Sequence, residues 1–414
     1  MENNDDTPQL SNTLQTFDYH QKLRDHFKGR KKTWLWFKEE NNKTKQIEEL
    51  KAELLKNTYR IDKTSHQNLY DWADEACNSL SIDAEVTLYQ EHNSLQLNAG
   101  ISILEKEAHI VFSGNLIGLL SEEEFKALLA HELTHYLFYK MEEEEFEVTQ
   151  RIALALANDP RSEDTIIETA RIFQLYLELF CDDGALKVCQ DYRPVVQMLV
   201  KIHTGLAEVN AESYISQARE IVKLDSDASL KTSHPESYIR CLALQLRFEG
   251  HADYLDKVRQ LIEGELDLNK LDVFKQTAMQ NLTQDLLQLI ISPGWMNTSA
   301  ILNMSQQYFS EFHKKSGHKS VTELASKLEK ATTSVKNYVA YVLLDFAKAD
   351  REMEGAPMGF TLELSEMLGV RDTYQKVIRK ELKLTVREFK VLEEKMMAEL
   401  QQVKEGKEES LYSD

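Results

Sequence analysis

The chain has 414 residues, of which 42% are hydrophobic and 29% charged, the composition of a folded protein too long for one ordinary core. A formal net charge of -20 argues against general nucleic-acid binding, which wants a basic surface. With only 14 Gly and 6 Pro among runs rich in Leu, Glu, Lys and Gln, a mostly helical protein is expected. No stretch approaches the roughly 18 consecutive apolar residues of a membrane helix. The first residues, MENNDDTPQL, are acidic and polar, unlike a secretory signal, so a cytoplasmic protein is expected. Cys77, Cys181, Cys189 and Cys241 form no CxxC pair and read as free thiols.

Taken in chain order, the first ten residues read as disordered. Residues 20–40 mix basic residues with Trp34, Trp36 and Phe37, which suits an anionic membrane surface or a partner. The simpler reading is a helix packing its aromatics on the next domain. A helix is expected over 64–80 and a strand over 85–89. Two further strands, 97–104 and 108–113, are joined by a turn at Glu105-Lys106-Glu107, in the one convincing β region. Ser121 followed by Glu124 is a capping-box pattern opening a helix that runs through His131-Glu132-Leu133-Thr134-His135. Pro160 ends that helical run, and Ser162 can cap the next helix, roughly 163–188. The acidic run 141–145 reads as a solvated face. Helices continue to about Gly264. A second helical region starts near Leu271, is interrupted at Pro293-Gly294 and between Gly355 and Gly359, and ends in a loose tail.

HExxH on a helix sets His131 and His135 one turn apart on one face, where both imidazoles reach one tetrahedral zinc and Glu132 sits beside the open position. A pair of core or surface histidines would also fit the pentad alone. A catalytic zinc needs a third protein ligand. The long metzincin motif is absent, because Phe138 and Met141 stand where its glycine and third histidine belong. Residues 152–158 carry no acid, so a ligand some twenty residues on is missing too. The next helix holds Glu178 and Asp182, an i, i+4 pair set among Leu175, Leu177, Leu179 and Phe180. Glu178 can ligate zinc while Asp182 accepts a hydrogen bond from a ligand histidine. Such pairs are also common on solvated faces.

HExxH, then ExxxD, then the HPxxxxR of His234-Pro235 and Arg240 resembles the HtpX-like family of zinc endopeptidases, which includes the CAAX prenyl endopeptidases. The segment NSLQLNAG looks like that family's active-site edge strand, with Asn98 and Ala99 at the matching places. The resemblance covers about Leu69 to Leu244. It implies one zinc per chain on His131, His135 and Glu178, with Glu132 as general base and Asp182 behind a ligand. It further implies His234 and Arg240 near the substrate or the forming oxyanion. Many members are membrane-embedded, and this chain departs from them in lacking a spanning segment.

The C-terminal half, with YVLLDFAKADREMEGAPMGFTLELSEMLGV, is similar to the TerB-like (tellurite-resistance) helical domain. In that family, acids near the loop can bind a divalent cation; Asp345, Asp350, Glu352 and Glu354 are the local candidates, against the simpler reading of a solvated helix end. Expected is therefore a mainly α, α+β zincin-type metallopeptidase domain over 61–265, after an N-terminal extension over 1–60. An all-helical domain over 266–405 and a tail over 406–414 follow it. A protein or peptide substrate is expected, and a regulatory protein partner through the C-terminal domain. A latent metal-binding interaction protein and an aminopeptidase are the competing functions. Cys181, three residues after Glu178, could be a redox-sensitive switch or a small buried hydrophobe. His109 and His203 read as structural; His313 and His318 read as exposed.

Overall fold

The structure is a computed structural model that describes residues 14–39, 43–92, 94–224, 229, 234–314 and 320–406. The chain divides into two compact units, Met1–Gly264 and Glu265–Asp414. The first is α+β with a small sheet and the second is helical.

In the first unit α1 (Asp18–Lys28), α2 (Lys31–Glu39) and α3 (Lys43–Asn57) precede β1 (Thr58–Arg60) and α4 (Gln67–Leu80). Next come β2 (Glu85–Glu91), β3 (Asn98–Leu104), β4 (Glu107–Ser113), the single turn α5 (Leu116–Leu119) and α6 (Glu122–Lys140). The unit closes with α7 (Glu145–Ala157), α8 (Asp164–Cys189), α9 (Tyr192–Thr204), α10 (Ala211–Leu224), α11 (Ser237–Phe248) and α12 (Tyr254–Ile262).

The sheet order is β1-β2-β4-β3. β4 is central and reads as a nearly continuous apolar run because Ala108, Ile110 and Phe112 are all fully buried. Helices α4 and α6 cover the sheet, and the Phe112 ring meets Phe125 of α6 at 5.1 Å. Among the described residues β3 pairs only with β4, antiparallel and in register from Asn98↔Ser113 to Leu104↔Glu107, which leaves its other edge open there.

Local chemistry sets α6. Ser121 and Glu124 form both arms of the capping box, and buried Lys201 of α9 bonds the same Glu124 carboxylate at 2.8 Å. α8 crosses α6 closely because Gly184 has no side chain: a Cβ there would lie 2.6 Å from Cγ2 of Thr134, inside the HELTH segment. Hence the helix bearing the histidines and the helix bearing Glu178 touch where the motif lies.

Several expectations need correction. The turn between β3 and β4 is Glu105-Lys106, and Glu107 already belongs to β4. The short β1 was not foreseen; three residues carry too little pattern to announce a strand. The helical run before Pro160 breaks at the acidic segment, where Glu142, Glu143 and Glu144 have positive φ and α7 starts afresh. Glu142 there pairs with Arg24 and Glu145 with Lys28 of α1, Glu144 pairs with Lys140, and Glu143 stays 90% exposed, so the run is largely solvated but not as the face of a continuous helix. Ser162 does not cap α8; its hydroxyl bonds the Leu156 carbonyl, and Glu163 takes the N-cap position without a side-chain bond.

The second unit contains α13 (Val273–Ile290), α14 (Ser299–Tyr308), α15 (Val321–Glu329), α16 (Thr333–Ala347), α17 (Ala356–Met367), α18 (Arg371–Glu381) and α19 (Val386–Lys404). A 3-10 turn at Gly294–Met296 follows Pro293. The other expected interruption lies earlier than 355–359, because α16 ends at Ala347 and α17 already starts at Ala356, with Gly359 inside it. Gly359 is a contact glycine, where a Cβ would lie 2.9 Å from Cβ of Leu400 on α19. Among the described residues no helix is long and apolar enough to cross a membrane. The expected loose ends, 1–10 and 405–414, lie wholly or largely outside the described residues, as does His318.

Candidate metal centre

His131 and His135 stand one turn apart on α6, and their Nε2 atoms face one carboxylate, Glu178 of α8. Nε2 of His131 is 3.5 Å from Oε2 and Nε2 of His135 is 3.7 Å from Oε1. All three side chains are largely out of solvent. Ligands about 2.0–2.2 Å from a tetrahedral ion stand about 3.3–3.6 Å apart, so these separations suit a shared divalent ion. Oε2 of Glu178 is buried and meets no group at hydrogen-bond geometry, although nitrogens of His131, His234 and Arg240 stand 3.5 Å from it, an arrangement that a shared ion would complete.

Behind the ligands lies a second layer. Nδ1 of His131 is 3.1 Å from Oδ1 of Asp182, which fixes the ring with Nε2 toward Glu178. Arg240 of α11 grips Asp182 in bidentate fashion, with Nη2 to Oδ1 at 2.6 Å and Nε to Oδ2 at 2.7 Å. Its Nη1 is 3.5 Å from Oε2 of Glu178. Arg240 is 4% exposed in its side chain and bonded to these carboxylates, and it also lines the cleft above them. His234, at 53% side-chain exposure, sits at the mouth with Nε2 3.5 Å from Oε2 of Glu178.

Electrostatics follows from this packing. Burial alone would lower His131, yet the carboxylates of Asp182 and Glu178 hold it up at about 9. Burial lowers His135 to about 4. Burial pushes Glu132 up to about 7, with the Glu178 charge acting in the same direction. Glu178 is held well below the usual carboxylate range: burial opposes this, but the nearby His131 imidazole and the Arg240 guanidinium outweigh it. Cys181 is also near, its Sγ within 4.8 Å of donors on both histidines. It is fully buried, and burial pushes the thiol well above its ordinary value. The three donors His131, His135 and Cys181 thus lie within 4.8 Å of one another, while Glu178 reaches the two imidazoles through its two oxygens at 3.5 and 3.7 Å, and either side chain is placed to be a third donor.

Asn98 and Ala99 of β3 border a cleft of about 630 Å³ whose floor is His131, Glu132 and Glu178. The opposite wall is α9, with Met198, Leu199, Ile202 and His203. His203 was expected to be merely structural, but it lines this cleft, with Nδ1 bonded to the Leu199 carbonyl at 2.8 Å. The lone lysine in the apolar run Val195–Ile202 was the signal that α9 is buried there, because a buried Lys demands a partner, here Glu124. His109 is a buried strand residue bonded to Tyr89 and Glu107. His313 is exposed. In the second unit, Asp350 accepts the backbone N–H of Glu352, and Asp345 accepts the phenolic O–H of Tyr308. Among the described residues, the four acids near that loop do not converge on a common donor set.

Comparison with known proteins agrees with this location. Residues 66–148 match the model of the SprT-like family. A plastoglobule-localized metallopeptidase 48 of the chloroplast, from Arabidopsis thaliana, is 30% identical over 182 residues, covering 40% of this chain. The chain spans about half the length of that relative. No match to a solved structure was found. Neither match bears the HtpX-like or the TerB-like name. What they support is the coarser statement, a metallopeptidase-type domain similar to metal-dependent peptidases.

Proposed function

We propose that the protein is a zinc-dependent endopeptidase whose ion is held by His131, His135 and Glu178. The observation that carries this reading is the buried, unsatisfied Oε2 of Glu178, facing two imidazoles at the floor of a cleft beside an open strand edge. Two imidazoles and one carboxylate favour zinc, and the HtpX-like resemblance fits this donor set. When bound, the ion lowers the pKa of a water towards about 7 and polarises the scissile carbonyl.

The remaining work falls to the chain. Main-chain groups of β3 hydrogen-bond an extended substrate strand, which reads extension more than sequence and suits unfolded or flexible protein segments. Glu132, without a hydrogen-bond partner among the described residues, takes the proton of the attacking water on its carboxylate and returns it to the leaving amine. His234 offers its ring N–H at the cleft mouth, where the carbonyl oxygen gains charge. Asp182 orients His131, and Arg240 acts through Asp182 as a positioning residue. The C-terminal helical unit regulates access or recruits partners. Among the described residues no carboxylate besides Glu132 and Glu178 lines the cleft to hold a free substrate amine, which favours internal cutting over aminopeptidase trimming.

Casein cleavage and metal content, measured on wild type and Glu132→Gln, test the proposal. Wild type should cleave, lose cleavage to a chelator and regain it with zinc. The variant should keep about one zinc per chain and lose about 10²–10⁴-fold in rate. Retained cleavage in the variant would remove Glu132 from the chemistry. Absence of metal from both proteins would favour the interaction-protein reading.

A further inference from the structure

We propose that the outward face of α2 docks the protein on an anionic lipid surface. The inner face of the helix is anchored: Trp34 is buried beneath Nζ of Lys28, 5.9 Å from its ring centre. Phe37 is half-buried against Arg151 of α7, whose Nη2 donates to the Phe37 carbonyl at 2.8 Å. Those contacts satisfy the expectation of a helix packed on its neighbour. They do not account for Trp36, which is 60% exposed, or for Leu35, at 51%.

Helical spacing places Lys31 with Leu35 and Lys32 with Trp36, each pair one turn apart, so two lysines and two large apolar side chains form one stripe facing solvent. Arg30, also exposed, extends its cationic end. Charge distinguishes this stripe from its surroundings. Nearby Arg24, Lys28 and Lys38 are met by Glu142, Glu145 and Glu143. Arg30, Lys31 and Lys32 have no ion pair among the described residues, in a chain of net charge -20. Cations free of carboxylates complement lipid phosphates, while an indole and an isobutyl group beside them suit the boundary between headgroups and acyl chains. Because α2 is already folded and fixed to α7, it enters that boundary without an ordering cost.

The test is co-sedimentation of the full chain with vesicles of phosphatidylcholine alone and of phosphatidylcholine mixed with phosphatidylserine, at low and high salt. Binding is expected only to the mixed vesicles, and it should weaken as salt rises. Lys31→Gln and Lys32→Gln should each weaken it about fivefold. Leu35→Ser with Trp36→Ser should weaken it about tenfold or more, with thermal melting unchanged because both side chains are exposed. Brominated lipid should quench wild-type tryptophan emission more than that of Trp36→Phe, a check that does not depend on the serine variant folding. Equal binding to both vesicle types, binding to neither, or full retention by the double serine variant would overturn the proposal.

Discussion

The two units bury polar groups for different reasons. Among the described residues, the second unit buries mainly hydroxyls and carboxylates that serve helices. Asp272 caps α13, Thr283 and Ser305 bond carbonyls one turn back, and Thr361 shares a bond with Tyr374. The first unit buries Glu132, Glu178, Asp182 and Arg240 together around two histidines, and no cap or helix turn requires them. Removing charges from water costs several kcal/mol per ion, and a hydrophobic core would be at least as stable. A fold built only for stability has no use for such a cluster, whereas one that must hold a cation does. The contrast teaches where chemistry belongs in this chain: in the first unit. The second is built for packing.

The contrast can be broken most forcefully at Arg240. Arg240→Met leaves Asp182 and Glu178 buried without their cation, and denaturant unfolding should show a loss of about 3–5 kcal/mol. Added zinc should recover part of it, since an ion on Glu178 supplies the missing positive charge. A loss below about 1 kcal/mol would mean that the cluster is not electrostatically coupled, and the distinction between the units would fall. A smaller effect is expected at the helix crossing. Gly184→Ala drives a methyl into Thr134 and should cost about 1–3 kcal/mol while weakening metal binding. Thr134→Ala in the same chain should relieve much of this, with a coupling of about 0.5–3 kcal/mol in a double-mutant cycle; strict additivity would place the strain elsewhere. The smallest effect should come from the second unit. Tyr374→Phe removes a buried hydroxyl that lies 2.8 Å from Thr361, whose own hydroxyl retains bonds to Pro357 and Met358. About 1 kcal/mol of stability should be lost, with metal content unchanged. A fall in metal content would show the units to be energetically linked.

The parts legible in sequence were those written within one or two helical turns. Ser121 and Glu124 announced the start of α6 because a capping box closes over three residues. The i, i+4 spacing set His131 and His135 on one face because the α-helix repeats every 3.6 residues. Alternating and β-branched runs announced β2, β3 and β4, and the scarcity of Gly and Pro announced helices elsewhere. The reversal at Glu142 to Glu144 was hidden, since glutamate favours helix and nothing local warns that three in succession adopt positive φ; the pairing of Glu142 with Arg24 of α1 is a tertiary matter.

By itself, then, the sequence determined the α+β class, the helix carrying HELTH and the pairing of Glu178 with Asp182 on one helical face. Only the tertiary structure decided that Glu178 comes within 3.7 Å of both imidazoles, across a crossing opened by Gly184. It alone turned Arg240 onto Asp182, 58 positions away, and laid His203 along the cleft. It also set β2 parallel to β4, leaving β3 as the open edge. The physical reason is range: periodicity and capping act over a few residues. The meeting of carboxylate, guanidinium and imidazole depends instead on how closely whole helices pack, and that is settled by the shape and volume of side chains far apart in the chain.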